Sequence, residues 1–115
     1  MINVLLVDDY PSIVEGTKVL LEQGGDMKVH EAYPPRLALE MLASRSFDVL
    51  LIDLQMPDCD GIELARHILT LDPAAKILIF TGQDPLPLFN RWVEAGIAGF
   101  VPKTAGKEQL ATAVR

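Results

Sequence analysis

Apolar residues in this chain fall into short runs separated by stretches of helical spacing. Asn3 to Val7 (NVLLV), Phe47 to Ile52 (FDVLLI) and Lys76 to Phe80 (KILIF) are rich in Val, Ile and Leu. Runs of this length predict strands buried on both faces. Met27 to Tyr33 (MKVHEAY) alternates in part and predicts a weaker strand, and Gly99 to Val101 predicts a short fifth one. Pro11 opens the first helix, with Ile13, Val14, Thr17, Leu20 and Leu21 inward, and Gly24-Gly25 closes it. Pro34-Pro35 starts the second, whose apolar stripe is Leu37, Ala38, Met41 and Leu42. Gly61 to Leu71 is the third, facing inward through Ile62, Leu64, Ala65, Ile68 and Leu69 until Asp72-Pro73 breaks it. Pro85 and Pro87 crowd the start of a fourth, which runs to about Ala95 with Leu88, Phe89, Trp92 and Val93 as its apolar positions. Lys107 to Arg115 begins a fifth, with Leu110, Ala111 and Val114 inward.

Five strands alternating with five helices predict an α/β fold: a parallel sheet covered on both faces, with right-handed crossovers. Pro102 beside the fifth strand places that strand at the sheet edge. The 115 residues suit one domain, and no internal repeat interrupts them. The last helix has only about nine residues, short of the usual ~11–12, so the sequence is expected to belong to a longer protein. Half the residues are hydrophobic and 23% are charged, which favours a packed fold over disorder. The formal net charge is −6 and the ten basic residues are scattered, which argues against direct nucleic-acid binding. A single cysteine, Cys59, excludes an intrachain disulfide and points to a reducing compartment. No basic leader precedes the first strand and no apolar run approaches the ~20 residues of a membrane span, so the expectation is a soluble, cytoplasmic domain.

Strands of such a sheet deliver their C-terminal residues to one rim, where open α/β sheets bind ligands. The first strand delivers Asp8 and Asp9, the third Asp53, the fourth Thr81 and the fifth Lys103. Three crowded carboxylates repel one another, and a hard divalent cation relieves the repulsion. Mg²⁺ suits such a site, because it takes oxygen ligands, uses one or two carboxylates and keeps waters. Asp9 and Asp53 would bind directly, Asp8 through water, and Gln55 through its backbone carbonyl. Asp53 can then attack a phosphoryl group as a carboxylate nucleophile. Lys103 and Thr81 would hold the phosphoryl oxygens not taken by the metal. Taken singly, these residues say little: a strand-end Asp caps a helix as readily, and a lone lysine is ordinarily a surface group. His30 reads as a strand-face residue, His67 as solvated, and Cys59 as a small residue in a loop. The combination, at the correct ends of four strands, carries the argument.

The Asp8-Asp9 pair, Asp53 within IDLQMPDCDG, Thr81-Gly82 and Lys103 resemble the receiver domain of two-component response regulators, and the resemblance covers the whole chain. It implies a doubly wound, flavodoxin-like sheet of five strands in the order 2-1-3-4-5. It implies Mg²⁺-dependent transfer of a phosphoryl group from a sensor histidine kinase to Asp53. The activity implied is signalling rather than enzymatic, the domain catalysing only its own phosphorylation and dephosphorylation. Phe100 matches the switch aromatic, which turns inward when Thr81 moves toward the phosphoryl group. The sequence Pro102-Lys103-Thr104-Ala105 is similar to regulators with a helix-turn-helix output domain. The implied partners are therefore the cognate kinase, a second copy in a phosphorylation-dependent homodimer, and DNA only through an output domain absent from this chain. The alternative is a stand-alone or hybrid-kinase receiver in a phosphorelay, or a protein-interaction module. Lys103-Thr104 departs from the Lys-Pro often found here with a cis bond, and a non-proline cis bond costs ~3 kcal/mol or more.

A phosphohydrolase of the haloacid dehalogenase type needs an acid two residues past its nucleophile, and that position is Gln55. A flavin- or nucleotide-binding module needs a Gly-rich loop after the first strand, and Asp8-Asp9-Tyr10-Pro11 has no glycine. Gln55 lies two residues past Asp53 and Gln83 two past Thr81, positions that the resemblance to receivers implies flank the path of the hydrolytic water. Amides orient water without acting as a base, which predicts slow to moderate autodephosphorylation.

Overall fold

The computed structural model describes residues 1–57, 59–82, 87, 89–103 and 107–114, with the side chains of Gln55, Phe89, Trp92, Lys107 and Glu108 outside that description. The apolar runs form strands β1 (Ile2–Val7), β2 (Met27–Glu31), β3 (Val49–Asp53), β6 (Ile77–Thr81) and β7 (Gly99–Pro102). They pair in parallel in the order β2-β1-β3-β6-β7, the arrangement expected, with β7 at an edge. Two short strands, β4 (Gln55–Met56) and β5 (Cys59–Asp60), make an antiparallel hairpin where the sequence reading expects only a turn. The helices are α1 (Pro11–Glu22), α2 (Pro35–Ser44), α3 (Gly61–Leu71), α4 (Phe89–Glu94) and α5 (Lys107–Val114).

The two-residue period of the strands sorts their side chains into two cores. Leu5, Val7, Leu50, Ile52, Ile77 and Ile79 pack beneath α2 and α3, whereas Val4, Leu6, Val49, Leu51, Leu78 and Phe80 pack beneath α1 and α5. Leu5, Leu6, Leu50, Leu51, Ile52, Ile77 and Ile79 are almost fully buried. Each such side chain contributes about 1.5–3 kcal/mol of burial energy. Sandwiched on both faces, the central strands explain why their sequences are nearly continuous apolar runs. Lys76 approaches the end of α5, its Nζ donating to the carbonyls of Ala113 and Val114 at 3.4 and 3.3 Å. That cation satisfies carbonyls left without partners by the helix end.

Some boundaries and faces differ from expectation. The third strand begins at Val49 rather than Phe47 and includes Asp53 itself. The first helix ends at Glu22, and Gly25 supplies the left-handed turn at φ +78°. On α2 the apolar stripe centres on Ala38 and Leu42, so Leu37 falls at its margin and is exposed while Leu39 packs against the core. Val93 on α4 is likewise exposed. The start of the fourth predicted helix, including Leu88, lies outside the described residues, as does Thr104, whose peptide bond with Lys103 the sequence left open.

Candidate functional site

Strand register brings the rim residues level with one another. Val7 pairs with Ile52, so Asp8 follows β1 where Asp53 ends β3. Asp53 pairs with Phe80, which sets Thr81 one residue further along β6. Thr81 pairs with Pro102, and the Lys103 N–H donates to the Thr81 carbonyl at 2.7 Å. Parallel pairing alone therefore gathers residues from four strands that lie up to 95 positions apart, between Asp8 and Lys103.

The loop after Asp53 is held against it. The Gly61 N–H donates to the Leu54 carbonyl at 3.0 Å. A Cβ on Gly61 would overlap the Asp53 carbonyl oxygen and lie 3.0 Å from both the Asp53 carbonyl carbon and the Leu54 Cα. Only glycine permits that approach. Asp60, just before it, caps α3 by accepting from the Ile62 N–H at 2.9 Å. Its other oxygen accepts from Arg91 of α4 at 2.7 Å, and Arg91 also lies 3.5 Å from Glu63. Burial alone would raise the Asp60 pKa, but the Arg91 hydrogen bond and the α3 backbone outweigh it and hold the carboxyl below its ordinary value.

Asp8, Asp53 and Thr81 are buried, at 3%, 4% and 2% exposure, and Asp9 is half-buried. Lys103 Nζ sits 2.9 Å from Asp8 Oδ2 and 3.4 Å from Asp53 Oδ2. Asp8 Oδ2 meets this cation as an ion pair rather than through a hydrogen bond of good geometry. Burial would lower the Lys103 pKa, yet the two carboxylates raise it above its ordinary value and hold the ammonium charged.

Asp8, Asp9 and Asp53 each present an oxygen, and these atoms all lie within 4.8 Å of one another. Asp9 Oδ1 is buried with no hydrogen-bond partner among the described residues. An all-oxygen donor set with a buried, unsatisfied carboxylate oxygen fits a hard divalent cation. A cleft of about 400 Å³ opens over these groups, lined by Asp9, Tyr10, Asp53, Met56, Thr81 and Lys103 among others. A larger groove of about 510 Å³ between α2 and α3 is lined mainly by apolar groups such as Leu39, Leu42, Ile68 and Leu71. Its size does not outweigh the convergent charges of the smaller cleft.

All five rim residues picked from the sequence thus meet at one place. Gln55 lies in β4, its backbone paired with Asp60, while its side chain and all of Gln83 lie outside the described residues. Phe100 stands away from the cleft on β7 and is 41% exposed. His67 is exposed on α3. His30 reaches Asn3 Oδ1 at 3.2 Å and packs edge-on against Phe47. Neither histidine approaches the acidic cluster. Missing from the sequence reading were the Tyr10 and Met56 walls, the Asp60 cap and its Arg91 partner. Only Tyr10, beside the acidic pair, and Asp60, one residue before a helix-opening glycine, left a signal that could have been read.

No described helix is long and apolar enough to cross a membrane. Residues 4–115 match the family model of the response regulator receiver domain. The chain is 32% identical over 113 residues to the transcriptional regulatory protein ComA of Bacillus subtilis, which covers 96% of this chain and 53% of ComA. It is 34% identical over 116 residues to the response regulator UvrY of Escherichia coli K12, covering 100% of this chain and 53% of UvrY. Among solved structures, a LuxR-family two-component response regulator from Aurantimonas sp. SI85-9A1 matches with a TM-score of 0.89 and 34% identity, over 97% of this chain and 81% of that one. The chain spans about half the length of the curated relatives it matches. With its acidic rim, its 2-1-3-4-5 type of sheet and a family match that begins in β1 and runs to Arg115, the chain belongs to the response regulator receiver domains.

Proposed function

We propose that Asp53 is a phosphoacceptor that takes a phosphoryl group from the phosphohistidine of a sensor kinase, and that the domain signals through the resulting change of shape. The observation that carries this reading is the clustering of three carboxylate oxygens within 4.8 Å, with Lys103 in contact with two of the carboxylates. A carboxylate oxygen of Asp53 attacks phosphorus, the P–N bond of the donor breaks, and an acyl phosphate forms. Lys103 exchanges its contact with Asp53 for a phosphoryl oxygen, and the Thr81 hydroxyl donates to another. Asp8, Asp9, Asp53 and the Gln55 carbonyl would hold Mg²⁺. When bound, that ion neutralises phosphoryl oxygens and offsets the repulsion among the carboxylates.

Movement of Thr81 toward the phosphoryl group draws Phe100 inward and remodels the α4–β7 face, which controls homodimerisation and an attached output domain that regulates transcription in the cytoplasm. ComA and UvrY, named as a transcriptional regulatory protein and a response regulator, support that output. The domain acts on no substrate other than its own phosphoryl donor.

The test is intact-mass measurement after incubation with Mg²⁺ and acetyl phosphate. Wild type gains one phosphoryl adduct, and Asp53→Asn gains none. An adduct of equal yield on the Asn variant overturns the assignment of Asp53.

A further inference from the structure

Lys103 is gripped by more than its carboxylates. Its Nζ lies over the Tyr10 ring at 5.5 Å from the centroid and over the Phe80 ring at 5.9 Å. Phe80 is buried in the sheet, whereas Tyr10 is 59% exposed at the mouth of the cleft. The ammonium therefore has an aromatic floor and an aromatic outer wall.

The ordinary reasons for an aromatic residue do not account for Tyr10. Its exposure means that it adds little to either core. It is the N-cap of α1, yet its side chain makes no capping hydrogen bond, where Ser, Thr, Asp or Asn would. The helix start is secured instead by Pro11 and by the Tyr10 carbonyl, which accepts from the Val14 N–H at 3.0 Å. Asp8 fixes the place of Tyr10, its Oδ1 accepting from the Tyr10 N–H at 2.9 Å. The same carboxylate that pairs with Lys103 thus anchors the backbone that carries the ring over it. A position that gives up a favourable local residue without gain in packing marks a functional demand.

The geometry points to Tyr10 as a positioning residue for Lys103: its ring holds the ammonium in line for the phosphoryl group accepted by Asp53. This rests on the phosphoacceptor reading and names a further residue that serves it. Before transfer, Lys103 is shared between Asp8 and Asp53. During transfer it has to leave Asp53 for a phosphoryl oxygen, and a ring face attracts a cation without competing for its N–H donors as a carboxylate does. Without the ring, a flexible lysine beneath an open cleft mouth has more positions to sample, and fewer of them meet the phosphoryl oxygen.

The experiment compares wild type, Tyr10→Phe and Tyr10→Leu, each checked for wild-type far-UV circular dichroism. Two readouts are taken: the rate of Asp53 phosphorylation by acetyl phosphate with Mg²⁺, and the NMR shift of the Lys103 ε-methylene in the metal-free protein. A small donor has no docking surface, so a defect with it does not arise from a lost protein contact. Tyr10→Leu is expected to slow phosphorylation about two- to fivefold, the range of an exposed cation–π contact. It should also remove a ring-current shift from Lys103, and Tyr10→Phe should rescue both. Equal rates in all three proteins overturn the inference, as does a Phe variant as slow as the Leu variant, which would implicate the hydroxyl. A slow Leu variant whose Lys103 resonance has not moved also overturns it. If wild type itself takes no phosphoryl group, the phosphoacceptor reading fails, while the NMR comparison still decides whether Tyr10 positions Lys103.

Discussion

Two glycines at helical positions give opposite predictions for the same substitution. Gly16 lies within α1 on its exposed side, and a Cβ built there meets nothing within 4 Å. Gly61 is the first residue of α3, and a Cβ there overlaps the carbonyl oxygen of Asp53. On helix propensity alone, alanine should improve an interior helical site by about 0.5–1 kcal/mol. Gly16→Ala should follow that rule. In Gly61→Ala the overlap is with backbone on both sides, so no side chain can swing away. Either α3 shifts outward or the β3 end moves, and overpacking of this kind costs roughly 1–3 kcal/mol. Displacement of the Gly61 to Leu54 hydrogen bond adds about 1 kcal/mol.

The expected net loss for Gly61→Ala is therefore roughly 2–4 kcal/mol, against a small gain for Gly16→Ala. For a domain of this size each kcal/mol moves Tm by roughly 3–6 °C. Urea unfolding followed by circular dichroism gives both values on one scale. Because the displaced carbonyl belongs to Asp53, Gly61→Ala should also slow phosphorylation by acetyl phosphate, and Gly16→Ala should not. A Gly61→Ala protein as stable as wild type would refute the close approach of α3 to Asp53. If both variants lose stability equally, glycine itself would be the cause and the steric argument would fail.

The cap at Asp60 can be separated from its ion pair. Asp60→Asn keeps the acceptor for Ile62 and should cost less than Asp60→Ala, because solvent screens the exposed Arg91 pair. Asp60→Ala loses the cap as well and should cost about 1–2 kcal/mol in urea unfolding. The Asp60 pKa is depressed in the folded state, so its contribution is present above the ordinary value of 3.8 and is lost as pH falls through the folded value. The His30 pKa is lowered by burial, then by Arg45 and Lys28, with Glu22 opposing and Lys18 adding. NMR titration should place it below 6.5, and stability from neutral His30 should be complete above that pH and fall as pH drops through the folded value. Asp9→Asn should stabilise the metal-free protein by roughly 1–3 kcal/mol, since unit charges 4.8 Å apart repel by about 3.5 kcal/mol at an effective dielectric of ~20. Wild type should gain about 2.7 kcal/mol in Mg²⁺ at 100 times its Kd and the variant far less, as read by thermal unfolding with and without chelator.

The sheet was legible because its strands are buried on both faces, so apolar runs such as Leu50 to Ile52 had no other use. Asp53 stood out because its charge interrupts that run. The rim residues followed from topology, since parallel strands all end on one side and their order need not be known to place Asp8, Thr81 and Lys103 together. What was less legible depends on contacts between elements. The β4–β5 hairpin has only two residues per strand, too few for a period to appear. Leu37 and Val93 share the composition of inward positions, and only the docking angle of each helix exposes them. Arg91 reads as a surface residue until α4 is set beside the start of α3, and Tyr10 as a poor cap until Lys103 arrives from the far edge of the sheet.

The charges of the cleft explain why those late-arriving residues matter. Three carboxylates and one ammonium leave a formal charge of −2, the complement of one divalent ion. Without the ion, Lys103 bridges Asp8 and Asp53 and offsets part of their repulsion. In the phosphoacceptor role proposed for Asp53, that contact also engages one of the two carboxylate oxygens available for attack. Lys103 must therefore be held firmly enough to stay in the cleft and loosely enough to change partner. An ammonium on a flexible stem can exchange acceptors by rotation, whereas a guanidinium bound to a carboxylate as a planar fork gives up two hydrogen bonds at once. An aromatic wall extends the same logic, because it attracts the charge along a face rather than at a point. On the proposed reading, lysine beneath tyrosine would keep the cation near Asp53 without locking it there, as a site that takes up and then releases a phosphoryl group requires.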